Sequence, residues 1–161
     1  MNRSFKIVLI ESGDAGALYS IQFKGESKTE LEKFLANERF KGSEDLDEIA
    51  VLLNEMAMNY GFLETYFKIK EGKRRDSLVA LSQGRIRLYC LRLLDVLLIV
   101  GNGGLKTRRT YQQDPSLNTT VTTLQEIDNL ISERLISGKI RINRFTGLLT
   151  GSLDFSIDDI S

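Results

Sequence analysis

Alternation of apolar and polar positions opens the chain. Phe5 to Glu11 and Ala17 to Lys24 both alternate, and the stretch Ser12-Gly-Asp-Ala-Gly16 between them consists of turn formers, so this part predicts a β-hairpin. The period then lengthens. Ser27-Lys-Thr-Glu30 has the spacing of a capping box, in which Ser27 and Glu30 satisfy orphan amide groups reciprocally, and Leu31, Phe34 and Leu35 follow at helical intervals. After a break at Lys41-Gly42, Ser43 opens a longer helix. Its apolar positions are Leu46, Ile49, Ala50, Leu53, Met56, Ala57 and Tyr60, and Gly61 is its stop. Two helices with a short joint form a helical hairpin that must bury one face on a sheet.

Thr65 to Lys70 alternates again as a strand, followed by the charged turn Glu71-Gly-Lys-Arg-Arg-Asp76 and the short apolar piece Ser77 to Ser82. Gln83-Gly84 turns the chain into a strand with Arg85, Arg87 and Tyr89 on one face, expected to be open, and Ile86, Leu88 and Cys90 on the other. Leu93-Leu94-Asp95 links it to the apolar run Val96 to Val100, so the two strands pair antiparallel. Gly101, Gly103 and Gly104 interrupt that run as a tight turn or bulge and lead into a basic loop with Lys106, Arg108, Arg109 and Tyr111. Residues 119–137 carry the helical stripe Val121, Leu124, Ile127, Leu130, Ile131 and Leu135, closed by Gly138, and a glycine-punctuated tail predicts short strands. The order is α+β: an antiparallel β meander packed by a helical hairpin and a later helix, with an extra N-terminal hairpin and a C-terminal β tail. All of it forms a single domain, residues 1–161, with a core at 28–137 and a β extension at 138–161.

Composition changes this picture in three ways. Apolar residues make up 42% of the 161, enough for one continuous core, yet no segment approaches the roughly 20 apolar residues that span a bilayer. The apolar start is too short and too soon followed by acid and glycine for a secretory signal, so a cytoplasmic location with no membrane contact is expected. With one cysteine and no histidine, the chain lacks both an internal disulfide framework and the usual ligands of a zinc site, and no cofactor is expected. Cys90, on an alternating strand, reads as a buried thiol. Net charge is zero, but it is unevenly spread: residues 28–65 hold four basic and nine acidic side chains, whereas residues 66–111 hold eleven basic and three acidic. Such segregation creates a local positive field that attracts polyanions. Cations beside aromatics on a sheet suit a phosphate backbone with unpaired bases. An acidic helical pair folded over the basic sheet would neutralise that field internally.

The stretches LVALSQGRIRLYCL, DVLLIVGNG and GLKTRRTYQQDP, set behind two helices and ahead of a third, resemble the RelE/ParE toxin superfamily of bacterial toxin–antitoxin pairs, most closely its HigB-like, phage-derived branch. The resemblance covers roughly residues 28 to 137. Arg87 and Tyr89 match the family's strand positions, and Lys106-Thr107-Arg108 with Pro115 matches its basic loop loosely. It implies an endoribonuclease that cleaves mRNA in the ribosome and is neutralised by an antitoxin protein. The chain departs from the family in its neutral charge, in Asn102-Gly103-Gly104-Leu105 at the start of the loop, and in having no histidine.

Cleavage of this kind has a 2′-hydroxyl attack its own phosphate. It needs a base, an acid and a cation to stabilise the crowded phosphate. Arg87 and Arg109 can serve only as the cation, because guanidinium stays protonated. Lys106, Tyr89 and Tyr111 are the proton-transfer candidates, their pKa lowered by neighbouring cations, and no metal is required. Lys73, Arg74, Arg75, Arg85 and Arg108 would steer the RNA backbone, and each also reads as an ordinary solvated charge. Two other readings compete. One is a non-catalytic interaction module on the same scaffold, a degenerate toxin. The other is a β-rich structural protein whose tail adds strands to a neighbour to make a homodimer.

Overall fold

The computed structural model describes residues 3–69, 77–107, 109 and 113–156. Strand β1 (Phe5–Ser12) pairs antiparallel with β2 (Ala17–Phe23), as the alternation predicts. β2 is buried on both faces over Ala17–Ile21, which suits a strand in the middle of a sheet. Helix α1 (Glu30–Leu35) follows, then α2 (Glu44–Glu55), prolonged by a π turn over Met56–Tyr60 and ended at Gly61. The meander is β3 (Lys68–Ile69), β4 (Leu78–Gln83), β5 (Ile86–Leu94) and β6 (Leu97–Leu105). Next come helix α3 (Pro115–Ser137) and three short strands, β7 (Ile140–Ile142), β8 (Leu149–Gly151) and β9 (Asp154–Phe155).

The α+β class holds, but the sheet is mixed rather than an antiparallel meander. Its seven strands run β3-β4-β5-β6-β2-β1-β9, and β2 lies parallel to β6, with Ala17 opposite Leu97 and Ser20 opposite Val100. The N-terminal hairpin is therefore part of the central sheet instead of an addition to it. Helices α1 and α2 and the meander together make the long crossover that a parallel pair requires. In the tail, β7 and β8 form a separate two-stranded ladder, while β9 adds to the free edge of β1.

Both faces of the sheet are covered. Leu18, Leu88, Cys90, Leu98 and Val100 meet Leu31, Phe34, Ile49 and Leu53 under α1 and α2. Tyr19, Ile21, Tyr89, Leu91 and Ile99 meet Leu117, Val121, Leu124 and Ile127 under α3. The expected open face of Arg85, Arg87 and Tyr89 is thus largely a second core. Alternation says which residues share a face, but not whether a later helix lies on it.

Local details differ from expectation for identifiable reasons. The capping box is built by Thr29 and Glu32 rather than Ser27 and Glu30. Thr29 Oγ1 accepts from Glu32 N at 3.2 Å, and Thr29 N donates to the Glu32 carboxylate at 3.0 Å. Over the predicted strand Thr65–Lys70, Glu64–Tyr66 turns as a 3-10 helix, and among the described residues of that stretch only Lys68 and Ile69 pair. Helix α3 begins at Pro115, capped by Asp114, four residues before the segment 119–137 read as helical in the sequence. The glycine run does not end β6: the strand continues to Leu105. Leu88 faces Gly103 whereas Cys90 faces Val100, so β6 holds one extra residue in a bulge. Any Cβ at Gly103 would stand 1.8 Å from the Arg87 carbonyl oxygen, and one at Gly101 would stand 2.6 Å from the Leu124 side chain. Only glycine lets the bulge close and α3 seat there. No helix among the described residues is long and apolar enough to cross a membrane.

Candidate functional site

The basic side chains converge where the β4–β5 turn, the end of β6 and the start of β3 come together. Gly84 makes that turn with positive φ. Arg87, two residues into β5, folds its guanidinium back so that Nη1 donates to the Gly84 carbonyl at 2.7 Å and the Ile86 carbonyl at 3.1 Å. Main-chain acceptors fix its position but leave its charge uncompensated. Lys106 continues the ladder one residue past β6, its amide donating to the Arg85 carbonyl at 2.7 Å. Its ammonium is held below the ordinary lysine pKa, first by burial and then by repulsion from Arg87 and Lys68. Three cations from three strands thus act on one small region.

Among the described residues no carboxylate forms an ion pair with Arg87, Lys106 or Lys68. The ion pairs lie elsewhere: Arg3 with Glu26, Lys33 with Glu26 and Glu30, and Arg92 with Asp95. The acidic helical pair therefore does not neutralise this cluster, although Asp45 of α2 packs directly over Gly84.

The loop after Lys106 is tied at its far end by Asp114. This residue accepts from the amides of Ser116 and Leu117 at 3.1 and 3.3 Å and from the Thr107 hydroxyl at 3.4 Å. Those contacts occupy the amides at the start of α3, so the cations rather than the helix end offer the anion contacts here.

Of the residues singled out in the sequence, Arg87 and Lys106 meet in this cluster. Arg85 is exposed at the turn and Arg109 is exposed on the loop. Tyr89 is 6% exposed and belongs to the core beneath α3. Its expected place on an open surface beside Arg87 is corrected by that helix. Lys73, Arg74, Arg75, Arg108 and Tyr111 lie outside the described residues. Lys68 was missed, although its place in the alternating stretch Thr65-Tyr-Phe-Lys-Ile-Lys70 is the signal that could have found it. Among the described residues no cluster of histidine, cysteine, aspartate and glutamate could hold a metal ion. Cys90 is fully buried, and burial pushes its thiol pKa far up, which removes it as a nucleophile.

The chemistry on offer is that of two or three fixed cations with one amine of reduced basicity. Such a set binds a phosphate diester, and the amine can exchange a proton near it. No family model matches the chain, and no curated protein or solved structure is significantly similar to it.

Proposed function

We propose that the protein is an RNA-binding toxin of the RelE/HigB kind that cleaves mRNA in the ribosome without a metal and is held in check by an antitoxin partner. The observation that carries this reading is the cluster of Arg87, Lys106 and Lys68, which has no carboxylate partner among the described residues. Lys106, with its lowered pKa, takes the proton from the attacking 2′-hydroxyl as the new 2′-oxygen–phosphorus bond displaces the 5′-oxygen. The departing 5′-oxygen takes its proton from Tyr111 or water. Arg87 and Arg109 balance the charge that builds on the phosphate. Lys68 and Arg85 steer the backbone toward them.

Controlled expression in a bacterium tests the reading. The wild type should arrest growth and shorten reporter mRNA on translating ribosomes. Arg87→Ala and Lys106→Ala should each relieve the arrest while the protein stays soluble and folded. Soluble wild-type protein that neither slows growth nor cuts mRNA would refute it.

Burial of Tyr89 favours a second reading, a non-catalytic interaction module, because it removes one proton-transfer candidate from the surface. A stable protein complex recovered from cells, together with intact RNA under all conditions, would select that reading.

A further inference from the structure

Two features outside the cation cluster lie at the opposite end of β5, around its turn into β6. One is an exposed apolar patch. The π turn carries Met58 and Tyr60, 40% and 51% exposed, and the exposed Leu63 and Tyr66 follow it. The Tyr60 and Tyr66 ring centres lie 6.2 Å apart. The patch is tied to the β5–β6 turn, because the Phe62 amide donates to the Asp95 carbonyl at 2.6 Å. Its charge is one-sided: residues 42–67 hold six acidic side chains and no basic one. Glu64, exposed between Leu63 and Tyr66, makes no ion pair among the described residues.

The other feature is the turn between β7 and β8. Phe145 at its tip is 91% exposed, beside the exposed Arg144. Hydrogen bonds hold the tip in one pose. Asn143 Oδ1 accepts from the amides of Phe145 and Thr146 at 2.9 and 3.1 Å, and the Asn143 carbonyl accepts from the Gly147 amide at 2.7 Å. Gly147, at positive φ, presses onto the same β5–β6 turn, since a Cβ there would stand 1.8 Å from the Val96 carbonyl oxygen. Charge is one-sided here too, with the opposite sign: residues 138–153 hold three basic side chains and no acidic one. Arg144 makes no ion pair among the described residues.

One exposed apolar side chain by itself is ordinary. Here an acidic aromatic patch and a basic aromatic tip match each other, in the residue types enriched where proteins meet. A tip already fixed in shape also loses little freedom on docking. Within one chain the sheet separates the two: Phe62 belongs to the core beneath α2, whereas Ile140 and Leu149 belong to the core beneath α3. The excess of acid along residues 42–67 repels a phosphate backbone, which selects protein over RNA as the occupant of the patch. Complementary features at one end of a chain are what a twofold pair requires, each copy giving its tip and its patch to the other.

We propose that a second copy of this chain covers the patch, with Phe145 of each copy seated on Tyr60 and Tyr66 of the other and Arg144 paired with Glu64. The contact is independent of the RNA reading, since Arg87 and Lys106 lie at the other end of β5 and stay open in both copies.

Sedimentation equilibrium of the full chain, from about 1 to about 300 μM, provides the test. The wild type should show a monomer–dimer equilibrium in the micromolar range. Phe145→Ser should weaken it about a hundredfold and leave the fold intact, because the ring lies in solvent. Arg144→Glu and Glu64→Arg should each weaken it about tenfold, since like charges then face each other. An equimolar mixture of those two variants should recover the wild-type dimer, because opposite charges again meet at both contacts. A chain that stays monomeric throughout, its patch left to a different partner, would overturn the proposal. So would a dimer unaffected by folded Phe145→Ser, a mixture no stronger than its parts, or a Tyr66→Ser variant that loses RNA affinity and keeps its dimer.

Discussion

At the scale of single residues, the lowered pKa of Lys106 carries the sharpest consequence. Burial and two neighbouring cations disfavour its charged form, so the neutral amine that accepts a proton forms at a lower pH than in an ordinary lysine. On the proposed function, the cleavage rate should rise with pH through that lowered pKa and then level off, and kcat/KM measured across the range checks this. Lys106→Arg keeps the positive charge but not the titration, so it should give a low, flat profile. Lys68→Ala removes a like charge and should move the rise toward higher pH. Cys90 behaves oppositely: fully buried, with its thiol pKa driven up, it should resist a thiol reagent in the native protein and react only on unfolding. Sequence alone assigned Cys90 correctly because a strand alternates. The same alternation misjudged Tyr89, which shares a face with Arg87 but lies deeper beneath α3.

At the scale of elements, the ends of helices and the bulge in β6 decide the geometry. The cap of α1 is Thr29, so Thr29→Ala should cost about 1 kcal/mol, whereas Ser27→Ala should stay within about 0.5 kcal/mol in chemical denaturation. The sequence placed the box two residues early, at Ser27 and Glu30, because its spacing alone does not show where the backbone turns helical. Ser20 pins the start of α1: fully buried on β2, it donates to the Val100 carbonyl at 2.8 Å and accepts from the Leu31 amide at 3.1 Å. The bulge is equally exacting. Gly103→Ala sets a methyl group against the Arg87 carbonyl and should destabilise the fold by about 2–3 kcal/mol, while shifting Arg87 itself. The glycine run was legible as a turn or a bulge, and the cross-strand register made it a bulge because β6 goes on pairing to Leu105.

At the scale of the molecule, charge and the tail are the matters to test. A chain with no net charge should still bind single-stranded RNA in a salt-dependent way, because its cations are gathered on one side of α3. Removing Arg87 or Lys106 should each lower the salt slope by about 0.7, measured by fluorescence anisotropy at several salt concentrations. The tail spends β9 on its own sheet. Phe155 stacks on Phe5 at 4.6 Å, Arg134 lies 3.6 Å over the other face, and the same guanidinium donates to the Ser152 and Asp154 carbonyls at 2.7 and 2.8 Å. Phe155→Ala should therefore cost about 3–5 kcal/mol of stability by thermal or chemical unfolding. What the sequence determined by itself was local: the class of each long element, the stops at Gly61 and Gly138, and the crowding of cations into one window, since each depends on neighbours along the chain. The parallel seat of β2 beside β6, the helix over Tyr89 and the cation from β3 were decided by tertiary structure alone. Each joins residues tens of positions apart, and burying apolar surface on both sides of one sheet is what brings them together.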